Sequence, residues 1–434
     1  MGDIVFLYSS LWLTLFLRNL VGDSTQQYFS VHFVPFSILF LVWILVFYIA
    51  SLYEPHTVVL KSKIPAIILN AQAVNSFIAV IFFYLIPYFG ITPKTTLFLE
   101  LVISFVFISL WRFYGVPLLG LRKKENAVLI GSGEETRQLY RVVNHNPLYP
   151  MRFITWLDLD KVDGIDFDDE VLNRIYGEEI SMIVIDIENK KIAPILPKLY
   201  NLIFSHVRFV DQYRIYEDIF DKIPLSLIGY SWFLENVSSR AHFGYDLFKR
   251  SMDIALSLPL LCISLLFYPF VWIALKLQDG GPIFFIQERV GEGNRPIRII
   301  KFRSMNTMDK GIPLVANDPR ITKVGNFLRK SRIDELPQLW NVLRGDLSLI
   351  GPRPESPNLV ALYHEQIPYY NMRHLITPGL SGWAQVHHDK PPQTIEETKE
   401  KLAYDLYYLK NRSLALDIKI ALKTIKTLLS RTGL

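Results

Sequence analysis

Four stretches of almost unbroken apolar residues open the chain, at about Ile4–Leu20, Phe33–Tyr53, Ile64–Phe89 and Thr95–Trp111. The second and third carry no charged residue, and a helix needs about 20 apolar residues to cross the hydrocarbon core of a bilayer. Both therefore predict membrane spans. The first run is short and meets Arg18, and the fourth carries Glu100. Four such runs in succession still argue for membrane helices over buried helices of a soluble core. From Glu125 the period changes. Ala127–Ile130, Arg152–Leu157, Ser181–Ile187 and His206–Val210 read as short buried strands, separated by polar stretches of helical length such as Glu134–Asn144. Strands alternating with helices predict a doubly wound, parallel sheet. Residues 212–245 read as a linker whose aromatic stretch Tyr230–Phe233 rests on the membrane. A fifth apolar run, Ile254–Leu275, is again of membrane length. Farther on, Ile395–Leu429 sets apolar positions (Tyr404, Leu406, Leu409) against basic ones (Lys419, Lys423, Lys426) at helical spacing. That pattern fits helices lying on a membrane as well as helices packed on a core.

Composition supports the membrane reading. Half of the 434 residues are hydrophobic, 29 Phe, 22 Tyr and 8 Trp among them, and mean hydropathy is +0.24, high for a soluble protein. A net charge of +5 is too small to point to nucleic acid as a partner, but its placement is informative. Lys61 and Lys63 lie in the second loop, and Arg112, Arg122, Lys123 and Lys124 follow the fourth run, whereas the first and third loops hold only Asp23 and Lys94. Basic loops stay in the cytosol, which places the second loop and everything after residue 115 there. No cleavable signal pattern is legible at the N-terminus, because Asp3 precedes the first run and no small-residue cleavage site follows it. The single cysteine, Cys262, rules out an internal disulfide and is expected to pack as a small hydrophobe.

The fifth run breaks the topology if it crosses, since all later residues would then lie outside. Lys249 and Arg250 precede it, Lys276 and Arg289 follow it, and Pro269 sits well inside, where a helix loses a hydrogen bond and bends. A broken helix that dips into one leaflet and returns therefore competes with a kinked fifth span.

Two places carry candidate chemistry. Gly131-Ser132-Gly133 follows a strand and opens a helix, as in turns that hold a pyrophosphate, but the third glycine position is Thr136. A tight turn that binds nothing and a regulatory nucleotide site both fit. The second place is denser. Gly280–Gly291, Ile299–Met305, Asn317–Thr322, Arg332–Asn341, Ile350–Glu355 and Thr377–Trp383 pair carboxylates with cations over about 100 residues. Asp334 and Glu335 open a helix in which Pro337 is tolerated only in the first turn. A helix start favours anionic groups and a nearby phosphate. Two adjacent carboxylates can divide the work, one attacking phosphorus and the other holding a divalent cation, with oxygen ligands favouring Mg²⁺. Lys301, Arg303, Arg332 and Arg353 form the candidate clamp on substrate phosphates.

With these motifs, residues from about Asp246 to the C-terminus resemble the monotopic phosphoglycosyl transferases, bacterial sugar transferases that begin polysaccharide or glycoconjugate assembly on undecaprenyl phosphate. The preceding part is similar to the long members of that family, the undecaprenyl-phosphate galactose or glucose phosphotransferases. The resemblance implies residues 1–115 as four transmembrane helices, 125–211 as a Rossmann-like domain, 212–245 as a linker, and 246–434 as an α/β catalytic domain. That domain would carry amphipathic helices and a re-entrant helix at about 250–276. It implies Asp334 as a nucleophile that forms an aspartyl-phosphosugar intermediate, Glu335 as the Mg²⁺ ligand, and Arg353, Lys301 and Arg303 on phosphates. The substrates would be a UDP-sugar and undecaprenyl phosphate, at the cytosolic face of the bacterial inner membrane, in a pathway to exopolysaccharide, O-antigen or capsule. Many members carry Ser-Pro at the helix break, where this chain has Tyr268-Pro269; the proline keeps the bend, while the serine hydroxyl is missing. The sugar and the oligomeric state, a homodimer included, stay open. A membrane sensor with a decayed catalytic region is disfavoured by the intact dyad and Pro-Arg-Pro motif. A many-helix metal-dependent transferase would need its carboxylates between spans.

Overall fold

A computed structural model of the chain describes residues 2–18, 25–50, 52–53, 64–85, 94–115, 124–146, 149–160, 180–201, 207–237, 243–305, 320–388 and 392–430. Lys61, Lys63, Asp23, Arg122, Lys123 and Asn317-Asp318-Pro319, on which parts of the topology and motif reading rest, lie outside the described residues. The chain divides into two compact units. One holds Met1–Val128, Gln138–Trp156 and Asp166–Met182; the other holds Leu129–Arg137, Leu157–Ile165 and Ile183–Leu434.

The first unit begins with α1 (Gly2–Arg18), α2 (Thr25–Ile49), α3 (Ile64–Leu85) and α4 (Lys94–Leu110), which runs on into one π-helical turn, Trp111–Gly115. Their inward faces meet in one apolar core that includes Leu7, Leu11, Phe36, Trp43, Ile68 and Ile108. Several polar groups inside it pair with one another. Glu100 of α4 accepts from Ser10 Oγ at 2.6 Å and Thr14 Oγ1 at 2.9 Å, both on α1. Arg112 pairs with Asp3 and donates to Leu52 O at 2.6 Å. Among the described residues, Phe29–Ile49 and Thr95–Gly115 are long and apolar enough to cross a membrane, whereas Ile67–Phe83 is a shorter apolar helix.

The predicted alternation follows as β1 (Glu125–Gly131), α5 (Gly133–His145), β2 (Met151–Asp158), β3 (Ile180–Ile185), α6 (Leu196–Asn201) and β4 (Arg208–Asp211). The strand order β2-β1-β3-β4 is that of doubly wound sheets, whose ligand crevice lies at the carboxyl ends of the central strands.

Residues 212–237 depart from the linker reading. α7 (Gln212–Phe220) and α8 (Tyr230–Asn236) are built into the C-terminal half. Trp232 and Phe233 are 3% and 6% exposed, in one core with Ile223, Trp383, Leu402 and Leu406. The aromatic stretch is thus a packing surface through Trp232 and Phe233, while Tyr230 and Leu234 are exposed.

The fifth apolar run is two helices, α9 (Phe243–Leu265) and α10 (Tyr268–Asp279), bent by 50°. Pro259 is accommodated inside α9, whereas Pro269 lies in the first turn of α10, where its missing N–H leaves no bond broken. At the break, Leu266 N and Phe267 N bond Ile263 O and Ser264 O. The Ser264 hydroxyl, five residues before the proline, donates to Leu261 O at 2.8 Å. Cys262 is exposed on the outer face of α9 and not packed inside. Both limbs are tied to the core that follows them in the chain. Arg250 donates to the terminal carbonyls Val342 O (2.6 Å) and Leu343 O (2.7 Å), and Asp253 accepts from Leu349 N. From α10, Gln278 accepts from the Val324 N–H. Two charge-assisted bonds to carbonyls at the end of α12 set the scale for Arg250→Met, which should lower stability by about 2–3 kcal/mol in detergent-solubilised protein. An unfolding midpoint unchanged from wild type would show that Arg250 does not anchor the limb.

The core itself contains β5 (Phe284–Val290) antiparallel to β6 (Pro296–Phe302), α11 (Lys323–Lys330) and α12 (Leu339–Arg344). It continues with β7 (Ser348–Ile350) parallel to β8 (Gly379–Ser381), α13 (Pro357–Gln366), α14 (Ile395–Asn411) and α15 (Leu414–Ser430). α14 starts in a Thr394/Glu397 capping box and buries Leu402, Leu406, Tyr408 and Leu409, so it packs on the core. α15 buries Leu416 and Ile420 and leaves Leu414, Ile418, Ile425 and Leu428 exposed.

Candidate active site

The dyad sits on a sharp turn. After α11, Arg332 takes the left-handed conformation (φ 57°, ψ 14°) and leads into a 3₁₀-helix, Ile333–Gln338, that continues as α12. The helix expected at Asp334 is present as this tighter turn, with Pro337 inside it. Ile333 and Leu336 pack toward Phe302, Leu328, Val271 and Leu275, which seats the turn on α10 and β6.

Three of the four expected cations converge on Glu335. Its Oε1 accepts from Arg353 Nη2 at 2.7 Å and from Lys301 Nζ at 3.4 Å, and its Oε2 lies 3.8 Å from Arg332 Nη1. Burial opposes ionisation of Glu335, but these charges, Arg353 first, hold its carboxyl well below the ordinary range. Asp334 beside it is different. It is 7% exposed, and its Oδ1 has no hydrogen-bond partner among the described residues. Burial, reinforced by the Glu335 charge, pushes its carboxyl up to about 6. Burial also lowers the Lys301 ammonium, against the pull of Glu335. Two neighbouring carboxyls are thus driven in opposite directions, as happens where adjacent acids take different chemical tasks.

Arg303 does not join them. Register sets Phe302 opposite Phe284, so Arg303 falls beside Ile283, where its guanidinium pairs with Asp279 at the end of α10 and covers Gly281. Arg303 is thus not brought to Glu335 with the other three cations; its contacts here tie α10 to β6.

Behind Arg353 lies a buried network that sequence reasoning missed. Arg373, 2% exposed, bonds Asp405 at 2.7 Å, Tyr370 Oη at 3.2 Å and the Arg353 carbonyl at 2.8 Å. Glu355 pairs with Lys401 and lies 3.8 Å from Arg289. The available signal was Asp405, a carboxylate on the buried face of α14 between Leu402 and Leu406. Breaking a buried pair strands the other charge, so Arg373→Met should destabilise the protein by about 3–5 kcal/mol. Chemical denaturation would measure it, and a loss below about 1 kcal/mol would contradict the buried-pair account. Asn341, fully buried, joins β6 to α12 by accepting from Ile300 N (3.1 Å) and donating to Arg298 O (2.7 Å). The Pro-Arg-Pro loop is held by Gly351 N–H to Ser381 O (2.8 Å) and Gly379 N–H to Pro352 O (2.9 Å). A side chain on Gly379 would run into the Gly351 backbone, which explains the glycines of both motifs.

Residues 244–431 match the family model described as bacterial sugar transferase. Among similar proteins, a UDP-N-acetylgalactosamine-undecaprenyl-phosphate N-acetylgalactosaminephosphotransferase of Aeromonas hydrophila is 46% identical over 195 residues, 44% of this chain and 45% of that protein. An undecaprenyl-phosphate glucose phosphotransferase of Komagataeibacter xylinus is 31% identical over 357 residues, 78% of this chain and 66% of that protein. The chain thus spans less than half of the first relative and about two thirds of the second. The exopolysaccharide production protein PSS of Rhizobium leguminosarum bv. phaseoli is 39% identical over 191 residues, 42% of this chain and 96% of that protein. With a relative matched almost from end to end and the dyad, basic strand and Pro-Arg-Pro loop inside the matched region, the chain belongs to the bacterial sugar transferase family.

Proposed function

We propose that this chain transfers a sugar 1-phosphate from a UDP-sugar to undecaprenyl phosphate, releasing UMP and forming a polyprenyl-diphosphate sugar, the first membrane step of a polysaccharide or glycoconjugate. The observation that carries the reading is the contrast within the dyad: Asp334 buried with a bare Oδ1, Glu335 held by Arg353, Lys301 and Arg332. The relatives' names, which specify undecaprenyl-phosphate sugar phosphotransferases, support the substrate class. Asp334 attacks the sugar-bearing phosphorus; an Asp–phosphorus bond forms, the bond to UMP breaks, and the electron pair leaves with UMP. A lipid phosphate oxygen then attacks the same phosphorus and frees Asp334. Arg353, Lys301 and Arg332 hold the phosphates during both displacements.

Mg²⁺ fits this pair. Glu335 is kept ionised with Oε2 only loosely held at 3.8 Å, and Asp334 offers a buried, unpartnered oxygen. Among the described residues no group of three or more His, Cys, Asp or Glu could hold a metal alone, so phosphate and water oxygens would complete the shell. When bound, the ion screens the charge of the diphosphate.

The membrane arrangement that serves this chemistry has α1–α4 as four spans (residues 1–115) and a Rossmann-like domain at 125–211. The catalytic half then lies on the cytosolic face of the bacterial inner membrane, with α9 and α10 dipping into the near leaflet and returning. Bonds from Arg250 and Asp253 on one limb and from Gln278 on the other to the same core support the dip. So do the exposed apolar side chains between them, Leu258, Ile263, Leu266, Phe270 and Trp272 among them. Purified protein mixed with Mg²⁺, undecaprenyl phosphate and a panel of UDP-sugars should release UMP with at least one sugar. Silence across the whole panel would sink the enzymatic reading.

A further inference from the structure

The Gly131-Ser132-Gly133 turn is filled from within the chain. Gln212, the first residue of α7, is fully buried and donates from Nε2 to Thr136 Oγ1 at 2.7 Å. Thr136 in turn donates to Ser132 O at 2.7 Å. The Gln212 carboxamide oxygen lies so close to Gly131 that a Cβ there would run into it. Gly131 has no positive φ, unlike Gly133 (φ 92°), so its lack of a side chain serves space and not conformation. In a pyrophosphate-binding turn the glycines clear room for the ligand; here the room at the first glycine is taken by Gln212. The surrounding charge also opposes an anion. Glu134 and Glu135 occupy the first turn of α5, Asp186 follows β3, and Asp211 ends β4.

The other end of α7 is fixed to the catalytic core. Glu217 accepts from Lys410 Nζ (2.5 Å) and Asn411 Nδ2 (2.6 Å). Asp221, the left-handed C-cap, accepts from Tyr407 Oη (2.9 Å) and Lys419 Nζ (3.1 Å), and its carbonyl takes the Trp383 indole N–H at 2.8 Å. Trp383 follows Gly382, which is packed against the carbonyl of Gly351, two residues before Arg353.

We propose that the Gly131–Gly133 turn is a socket for the chain's own Gln212 and takes no nucleotide. Gln212 is then a positioning residue: seated in the socket, it fixes α7, and α7 holds the Trp383 loop behind Arg353. The latch stands whatever reaction the dyad performs. A double-mutant cycle on the full chain tests it, with wild type, Gly131→Ala, Gln212→Ala and the double variant compared by hydrogen exchange at Tyr216–Phe220 and by UMP release. Each single variant should raise exchange there by about fivefold or more and lower kcat for UMP release. In the Gln212→Ala background, Gly131→Ala should add less than about twofold, because its methyl enters the vacated space. Thr136→Val, which removes the acceptor and keeps the shape, provides the same cycle with Gln212→Ala if Gly131→Ala does not fold. An equal Gly131→Ala penalty in both backgrounds, or no effect of Gln212→Ala, would overturn the latch. Protection of residues 129–137 by NAD⁺ or UDP would overturn it as well. Exchange is read without turnover, so a chain that releases no UMP would sink the transferase reading and leave the latch measurable.

Discussion

Asp334→Asn should cut UMP release by at least about 10³-fold while raising the stability of the metal-free protein at pH 7. The amide keeps the shape of the carboxyl and cannot form the covalent bond to phosphorus. Its effect on stability has the opposite sign because the native environment disfavours the charge. The Asp334 carboxyl is raised from 3.8 to about 6 by burial and by Glu335. A raised acid binds its proton more tightly in the folded state than in the unfolded one. The folded protein therefore loses stability as pH climbs from about 4 through 6, and above that the penalty is complete, on the order of 3 kcal/mol. Asparagine removes it, so the variant should melt above wild type at pH 7 and alongside it near pH 4. Activity that survives the substitution would dismiss Asp334 as nucleophile; equal melting at pH 7 would dismiss the buried-charge account.

Glu335→Gln should fail in both respects. Its carboxylate is the common partner of Arg353, Lys301 and Arg332, and neutralising it leaves three cations facing one another. A loss of about 1–3 kcal/mol is expected when this half-buried carboxylate no longer faces its three cations, together with a collapse of UMP release. The pH dependence mirrors that of Asp334. Glu335 is held below its ordinary value, so its stabilisation is present above the unfolded value near 4.3 and fades as pH falls through and below it. The gap between variant and wild type in denaturant titrations should therefore narrow with acid. A gap independent of pH between 7 and 3 would show that charge pairing at Glu335 is not the cause.

Periodicity was enough to read the helices of the first 115 residues, the strands from Glu125 on, and the break at Pro269, because each is written in local residue order. The dyad and the convergence of Lys301, Arg332 and Arg353 were readable because chemistry limits what two adjacent carboxylates among several cations can do. What escaped was set by long-range packing. Arg303 carries the same charge as Lys301, and only strand register decides that it meets Asp279 instead of Glu335. Residues 212–237 look like a connector because the partners of Trp232 and Phe233, Trp383 and Leu406, lie far along the chain. Arg373 and Asp405 are 32 residues apart and announce themselves only once buried together.

The hydroxyls of Ser10 and Thr14 that meet Glu100 bear on how the protein is made. With α1 and α4 as two of the proposed spans, α1 leaves the ribosome some 80 residues before Glu100 does, and a lone carboxyl near mid-helix adds roughly 3 kcal/mol against insertion of α4. In that arrangement α1 holds the hydroxyl donors ready for α4, and a chain that lost α1 would present its insertion machinery with an unsolvated acid in an otherwise apolar segment.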